Sequence, residues 1–263
     1  MEEILKYFTD QGISEGLAIT YIIVSALLVI MAVVALVMRL IVFIKYQRGN
    51  HMTTAMGKTS LEVARETLDK AGLSHIKVAK ASWLRAFIFG NSYSLSKKTI
   101  FLRRGIVNKN TITAVGMALQ KVGVARLCEG ESKIAKTRNI MQILNLFAPL
   151  MFVPVMLLGF VIDLLLFSTP GVFSIVGIAV GLFLVLTGFI ATLLNIPVEK
   201  RANEMAMQTI EETGVLNEEE KKVIKQVFDA YIIAYVCEFI VAVLRIVQMI
   251  LEIVMKMQAT KNN

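Results

Sequence analysis

The sequence predicts a membrane α-helical protein, with four transmembrane helices and a small α+β domain on the cytoplasmic side. Three observations predict it. Hydrophobic residues make up 56% of the 263 and charged residues 18%, against about 45–50% and about 25% in soluble chains. Four apolar stretches are each long enough to cross a bilayer, which takes about 20 residues. Between Lys45 and Arg138 lie 18 Lys+Arg and 5 Asp+Glu, a net of +13. Apolar content this high excludes intrinsic disorder. With 16 Gly, 4 Pro and 2 Cys, collagen-like and disulfide-scaffold chains are excluded too.

Residues 1–16 form an outward-facing tail, in which Glu2, Glu3, Asp10 and Glu15 outweigh Lys6. The first span covers residues 17–38 and stops at Arg39, and with its interface it reaches residue 44. It does not suit a cleaved signal peptide: the preceding charge has the wrong sign, and the apolar run is longer than the usual ~7–15 residues. Residues 141–196 form a transmembrane hairpin. Its first arm, 141–167, carries Pro149 and Pro154, which predict a kink. Its second arm, 172–196, follows the uncharged turn Ser168-Thr169-Pro170-Gly171. The fourth span, about 231–255, lies in the C-terminal segment 229–263.

Lys and Arg in excess mark the cytoplasmic side. Arg39, Lys45 and Arg48 follow span one, and Lys133, Lys136 and Arg138 precede span two. Residues 45–140 and 197–228 are therefore expected in the cytoplasm, with both termini outside. A nucleic-acid partner is not expected. Topology and anionic lipid head groups account for the charge, few aromatics sit among the basic residues, and no binding module appears.

Within 45–140, Thr59-Ser60-Leu61-Glu62 reads as a capping box. It opens a helix to about Lys70, with Leu61, Ala64, Leu68 and Ala71 at helical spacing and Gly72 as its stop. Alternation over 75–80 predicts a strand. Residues 83–89 and 99–102 predict two more, separated by a polar turn at Gly90-Asn91-Ser92. Asn110 is placed to cap a long helix over 111–127, and a further helix from Ser132 leads into span two. In the 197–228 loop, Asn217 and Glu218 to Glu220 followed by Lys221 and Lys222 suit a helix start.

These elements, in this order, resemble a bacterial family of membrane-bound neutral zinc metallopeptidases, the YugP-like group. The resemblance covers about residues 58–254. It is carried by Ser60-Leu61-Glu62-Val63-Ala64-Arg65, Gly72-Leu73 before Lys77-Val78, Lys98-Thr99-Ile100, Thr113-Ala114-Val115-Gly116, and Ile196-Pro197-Val198-Glu199. It implies a zincin-like cytoplasmic domain in a bacterial inner membrane. In that family the long helix carries H-E-x-x-H, two zinc-binding histidines one turn apart with a general-base Glu between them. Here that motif falls on Gln120-Lys121-Val122-Gly123-Val124. Gly123 is kept. Gln120 and Val124 stand in place of the histidines, and Lys121 in place of the base. Glu199 is kept where the resemblance puts the third zinc ligand.

The only histidines, His51 and His75, lie 24 residues apart, so no H-x-x-x-H pair exists. Zinc is therefore not expected. Lys121 and Glu199 are expected to form an ion pair in place of the metal site; alternatively, Glu199 is simply a polar residue at a membrane boundary. Cys128, Glu129 and Glu131 cluster without the spacing of a zinc module, and read as a solvated helix end. Cys128 and Cys237 fall in different layers and are not expected to pair.

Gly177 and Gly181 allow close helix packing, within the chain or between copies. Glu238, Arg245 and Glu252 recur every seven residues along one stripe of span four, and Asp163 lies near the outer end of span two. Intramembrane charges mark interior faces. The expected function is that of a non-catalytic member, a pseudopeptidase. It would bind and regulate or scaffold another membrane protein, such as an active paralogue or a membrane protease; a homo-oligomer is compatible with this. The alternatives are an active peptidase with non-standard ligands, and a transport subunit using the charged stripe. No Walker loop, G-x-G-x-x-G or Ser/His/Asp set is present.

Overall fold

The computed structural model describes residues 2–167 and 171–262, apart from the side chains at 2, 4, 142–150, 152, 153, 156, 185 and 260–262. The helices are α1 (Glu2–Thr9), α2 (Glu15–Asn50), α3 (Ser60–Lys70), α4 (Trp83–Phe89), α5 (Ile112–Glu129), α6 (Lys133–Phe167), α7 (Val172–Thr213) and α8 (Glu218–Asn262). The strands are β1 (Lys77–Lys80), β2 (Ser92–Ser94) and β3 (Thr99–Leu102). Among the described residues, α2, α7 and α8 are long and apolar enough to cross a membrane. The expected span 141–167 lies on α6, where the apolar stretch Leu157–Phe167 is described. The side chains around Pro149 and the turn at 168–170 lie outside the described residues.

The chain divides into two units, residues 1–41 with 233–263, and residues 42–232. In the first, Ile13, Ala18 and Met255 form a small core with Phe8 and Tyr21 packed against it. Two of the three residues of the predicted stripe, Glu238 and Glu252, meet α2, whereas Arg245 is exposed. Arg39 Nε donates to Glu238 at 2.9 Å, and Tyr21 Oη donates to Glu252 at 3.2 Å. Arg245 donates to Gln248 on its own helix, and Gln248 donates to Ser25 of α2. Polar groups that would be costly alone in hydrocarbon thus bridge two helices.

In the second unit, α5 is the axis. Its sequence is apolar on all sides, and every residue from Ile112 to Ala125 is buried, as expected of a helix surrounded by protein. One side of α5 packs with Leu68 of α3, Ile76 just before β1, and Tyr93, Ile100 and Leu102 of the sheet. The other packs with Ile210 of α7, Leu216 of the connection that follows it, and Ile224 and Phe228 of α8. The sheet order is β1-β3-β2, with β1 parallel and β2 antiparallel to β3.

Several sequence expectations need correction. Residues 83–89 form a helix, not a strand: the Ser82 side chain accepts from Arg85 N at the start, and Gly90 takes a positive φ of 60° at the end. The turn foreseen at 90–92 gives way to β2 at Ser92. The strand foreseen over 75–80 begins at Lys77. Thr111, not Asn110, caps α5, its hydroxyl accepting from Ala114 N, and α5 runs on to Glu129. On α3 the capping box forms as read, and the buried stripe is Ser60, Val63, Ala64, Thr67 and Leu68. Ala71 is exposed because the helix has already ended there.

Candidate functional site: a buried polar network

The predicted motif positions lie in the middle of α5, and Glu199 lies on α7, three residues beyond the predicted end of span three. Gly123 determines how closely the two helices approach. A Cβ at position 123 would lie 2.8 Å from the Ala202 carbonyl oxygen, so only glycine fits against the α7 backbone. That approach brings the Glu199 carboxylate to the side chains one turn earlier on α5.

Lys121 Nζ lies 3.1 Å from Glu199 Oε2 and 3.2 Å from Oε1. Gln120 Nε2 donates to Glu199 Oε2 at 2.8 Å and to Asn203 Oδ1 at 2.7 Å. Arg138 of α6 completes the group, donating from one Nη to Glu199 Oε1 at 2.5 Å and from Nε to Asn195 Oδ1 at 2.6 Å. Glu199 is 1% exposed, Gln120 2% and Lys121 6%. Val124 is fully buried in the apolar core beside them. One acceptor, Gln120 Oε1, is buried without a hydrogen-bond partner.

Burial pushes the Lys121 ammonium pKa down, against the pull of Glu199. Burial alone would push Glu199 up, but Lys121 and Arg138 reverse this and hold its carboxyl below the usual carboxylate range. Fully ionised, the group carries two cations and one anion, all three buried.

Of the sequence-predicted residues, Gln120, Lys121 and Glu199 meet here, with Gly123 as the spacer and Val124 in the core. Arg138, Asn195 and Asn203 were missed as site residues. A signal for the two asparagines was present: Asn195, Glu199 and Asn203 recur at intervals of four on one helix and so share a face. Arg138 had no such signal, since it reads equally well as a positive flank of span two.

A zinc ion does not fit these residues. Catalytic zinc takes three protein ligands and an open position. Of the positions the resemblance aligns with ligands, only Glu199 offers an anionic donor, and both its oxygens already accept from Lys121, Gln120 and Arg138. A metal dication would displace or confront the Lys121 ammonium. Cys128 and Glu129 have partners of their own. Cys128 Sγ donates to the Ala135 carbonyl, and burial raises its thiol to about 11. Glu129 accepts from Tyr93 and Lys98, with His75 Nε2 3.6 Å away.

In the hairpin, the Asp163 carboxylate accepts from the backbone N–H groups of Gly171, Phe173 and Ser174, capping the start of α7. Gly177 and Gly181 are buried, and a Cβ on Gly159 of α6 would lie 3.3 Å from Gly177 Cα. Gly177 therefore packs within the chain.

A family model described as "Putative neutral zinc metallopeptidase" matches residues 21–254. No curated protein and no solved structure matches. The family match runs through α5, α6 and α7 and so takes in every residue of the buried network; the chain belongs to this metallopeptidase family.

Proposed function

We propose that this chain is a non-catalytic member of its family, anchored in a bacterial inner membrane. It keeps the zincin-like arrangement of helices and uses it to bind and regulate or scaffold another membrane protein. One observation carries the reading: a buried Lys121 ammonium on Glu199, where the resemblance requires metal, base and open coordination. A lysine here serves neither as ligand nor as water-activating carboxylate. The network ties α5, α6 and α7 together instead, which supports a rigid scaffold. The charge asymmetry supports a cytoplasmic position for residues 45–140 and 197–228.

The test is zinc content and peptidase activity of the purified full-length protein beside a variant carrying Gln120→His, Lys121→Glu and Val124→His. The wild type is expected to hold no stoichiometric zinc and to cleave no unfolded membrane-protein substrate, whereas the variant gains zinc. Chelator-sensitive cleavage by the wild type would overturn the reading. Crosslinked pull-down from native membranes then tests the second half: a stoichiometric membrane-protein partner is expected, and a chain recovered without one would leave no scaffold role.

A further inference from the structure

Ala86, Ile88 and Phe89 of α4 are half-buried, but the helix leaves a second apolar face exposed. Its seven residues are Trp-Leu-Arg-Ala-Phe-Ile-Phe, and none is fully buried. Trp83 is 81% exposed, Phe87 77% and Leu84 59%. The Trp83 and Phe87 rings stack with centroids 6.0 Å apart and planes 14° from parallel. Spacings of three and four residues put all three side chains on one face. Arg85 holds the helix to the sheet, its guanidinium 3.8 Å from the Phe101 ring centroid and 5.3 Å from that of Phe89. A helix this short is not stable without apolar partners, and exposed aromatics in a cluster mark an interaction site.

The surroundings of that face are strongly positive. From Lys70 to Cys128 the chain holds 11 Lys+Arg and not one Asp or Glu. Lys80 lies just before the Ser82 cap, and Arg103 Nη2 is 3.2 Å from where a Cβ on Gly90 would be. Lys80, Arg103 and Arg104 are exposed and have no carboxylate partner among the described residues.

We infer that α4 is an interfacial anchor: Trp83, Leu84 and Phe87 enter the head-group layer of an anionic bilayer while Lys80, Arg103 and Arg104 meet its phosphates. Aromatic side chains, tryptophan above all, favour this layer, and each nearby Lys or Arg adds attraction to anionic lipid. Size argues for lipid over protein. Three such side chains cover about 500 Å², short of the roughly 800 Å² per partner of a stable protein interface. The domain is also continuous with α2 and α6, so a bilayer is the partner at highest effective concentration.

Trp83 is the only tryptophan in the chain, so its fluorescence reports this face alone. The full-length protein would be reconstituted into phosphatidylcholine vesicles with and without phosphatidylglycerol. With phosphatidylglycerol, emission is expected to move to shorter wavelength, brominated acyl chains to quench it, and acrylamide to quench it severalfold less than in phosphatidylcholine alone. Arg103→Glu with Arg104→Glu should reverse these changes, and Arg103→Lys with Arg104→Lys should preserve them. Emission equally open to acrylamide in both lipids would overturn the anchor. So would shielding without quenching by brominated chains, which places the ring on protein, or shielding that appears only when other membrane proteins are added, which makes the face a protein-docking site.

Discussion

Glu199 holds Lys121 and Arg138 at once, so the three residues are not equivalent under mutation. Removing the carboxylate leaves two buried cations facing each other. Removing Lys121 leaves a buried one-to-one pair of Arg138 and Glu199. Breaking a buried pair from one side costs about 3–5 kcal/mol, and Glu199→Gln is expected to lie in that range. Lys121→Met, which fills similar volume and discards a charge that burial already disfavours, is expected to cost far less. Thermal unfolding in detergent checks the order, and equal losses would mean that Lys121 and Arg138 do not share the carboxylate. The pH dependence has a definite sign. The folded Glu199 pKa is lowered, so its contribution is complete above the ordinary carboxylate value. It is lost as pH falls through the lowered folded value. The stability gap between wild type and Glu199→Gln is therefore expected to be widest near neutral pH and to close in acid. A gap that stays constant to strongly acid pH would show that the carboxylate charge is not what matters.

At the scale of elements, two glycines of α5 set how near its neighbours come. A Cβ on Gly123 would meet backbone, the Ala202 carbonyl at 2.8 Å, whereas one on Gly116 would meet the Ile224 side chain at 2.2 Å. Backbone cannot turn aside as a side chain can. Gly123→Ala is expected to force α7 outward, cost about 1–3 kcal/mol, and weaken the contact between Lys121 and Glu199. Gly116→Ala repacks Ile224 and should leave that contact intact. Distances measured by crosslinking or spectroscopic labels between α5 and α7 separate the two, and an unchanged α5–α7 distance in Gly123→Ala would refute the spacer role. These elements show what the sequence could reveal. Cap and periodicity place α3, a cap read one residue early places α5, and acids followed by lysines place the start of α8, where Asn217 and Glu220 exchange backbone-to-side-chain hydrogen bonds. The pair Lys121 and Glu199 was legible because the resemblance supplied a common site. The segment 83–89 was not, because its aromatics suit a strand as well as a helix, and the decision rests on Ser82 as a cap and Gly90 as a stop. The share of Arg138 in the network was hidden because it depends on how α6 lies against α7, a tertiary fact with no local spacing.

For the whole molecule, the decisive question is which side of the membrane carries the network and α4. The net charge of +13 between residues 45 and 138 predicts the cytoplasmic side, with the acidic tail opposite. The native thiols do not interfere with a test. Both are buried, and the Cys128 pKa of about 11 keeps it protonated and unreactive at neutral pH. Ser96 and Asp10 are exposed, and neighbouring Lys97 would favour the reactive thiolate at position 96. In Ser96→Cys, a membrane-impermeant maleimide is expected to label inverted vesicles and spare right-side-out ones. In Asp10→Cys the pattern should be the opposite. Labelling of Ser96→Cys from the outside would overturn the orientation, and with it the cytoplasmic position proposed for residues 45–140. Equal labelling of both variants from one side would instead require an odd number of crossings between residues 10 and 96 to be abandoned. Since α2 is the one membrane-length helix described between those positions, its transmembrane assignment would fall with that result.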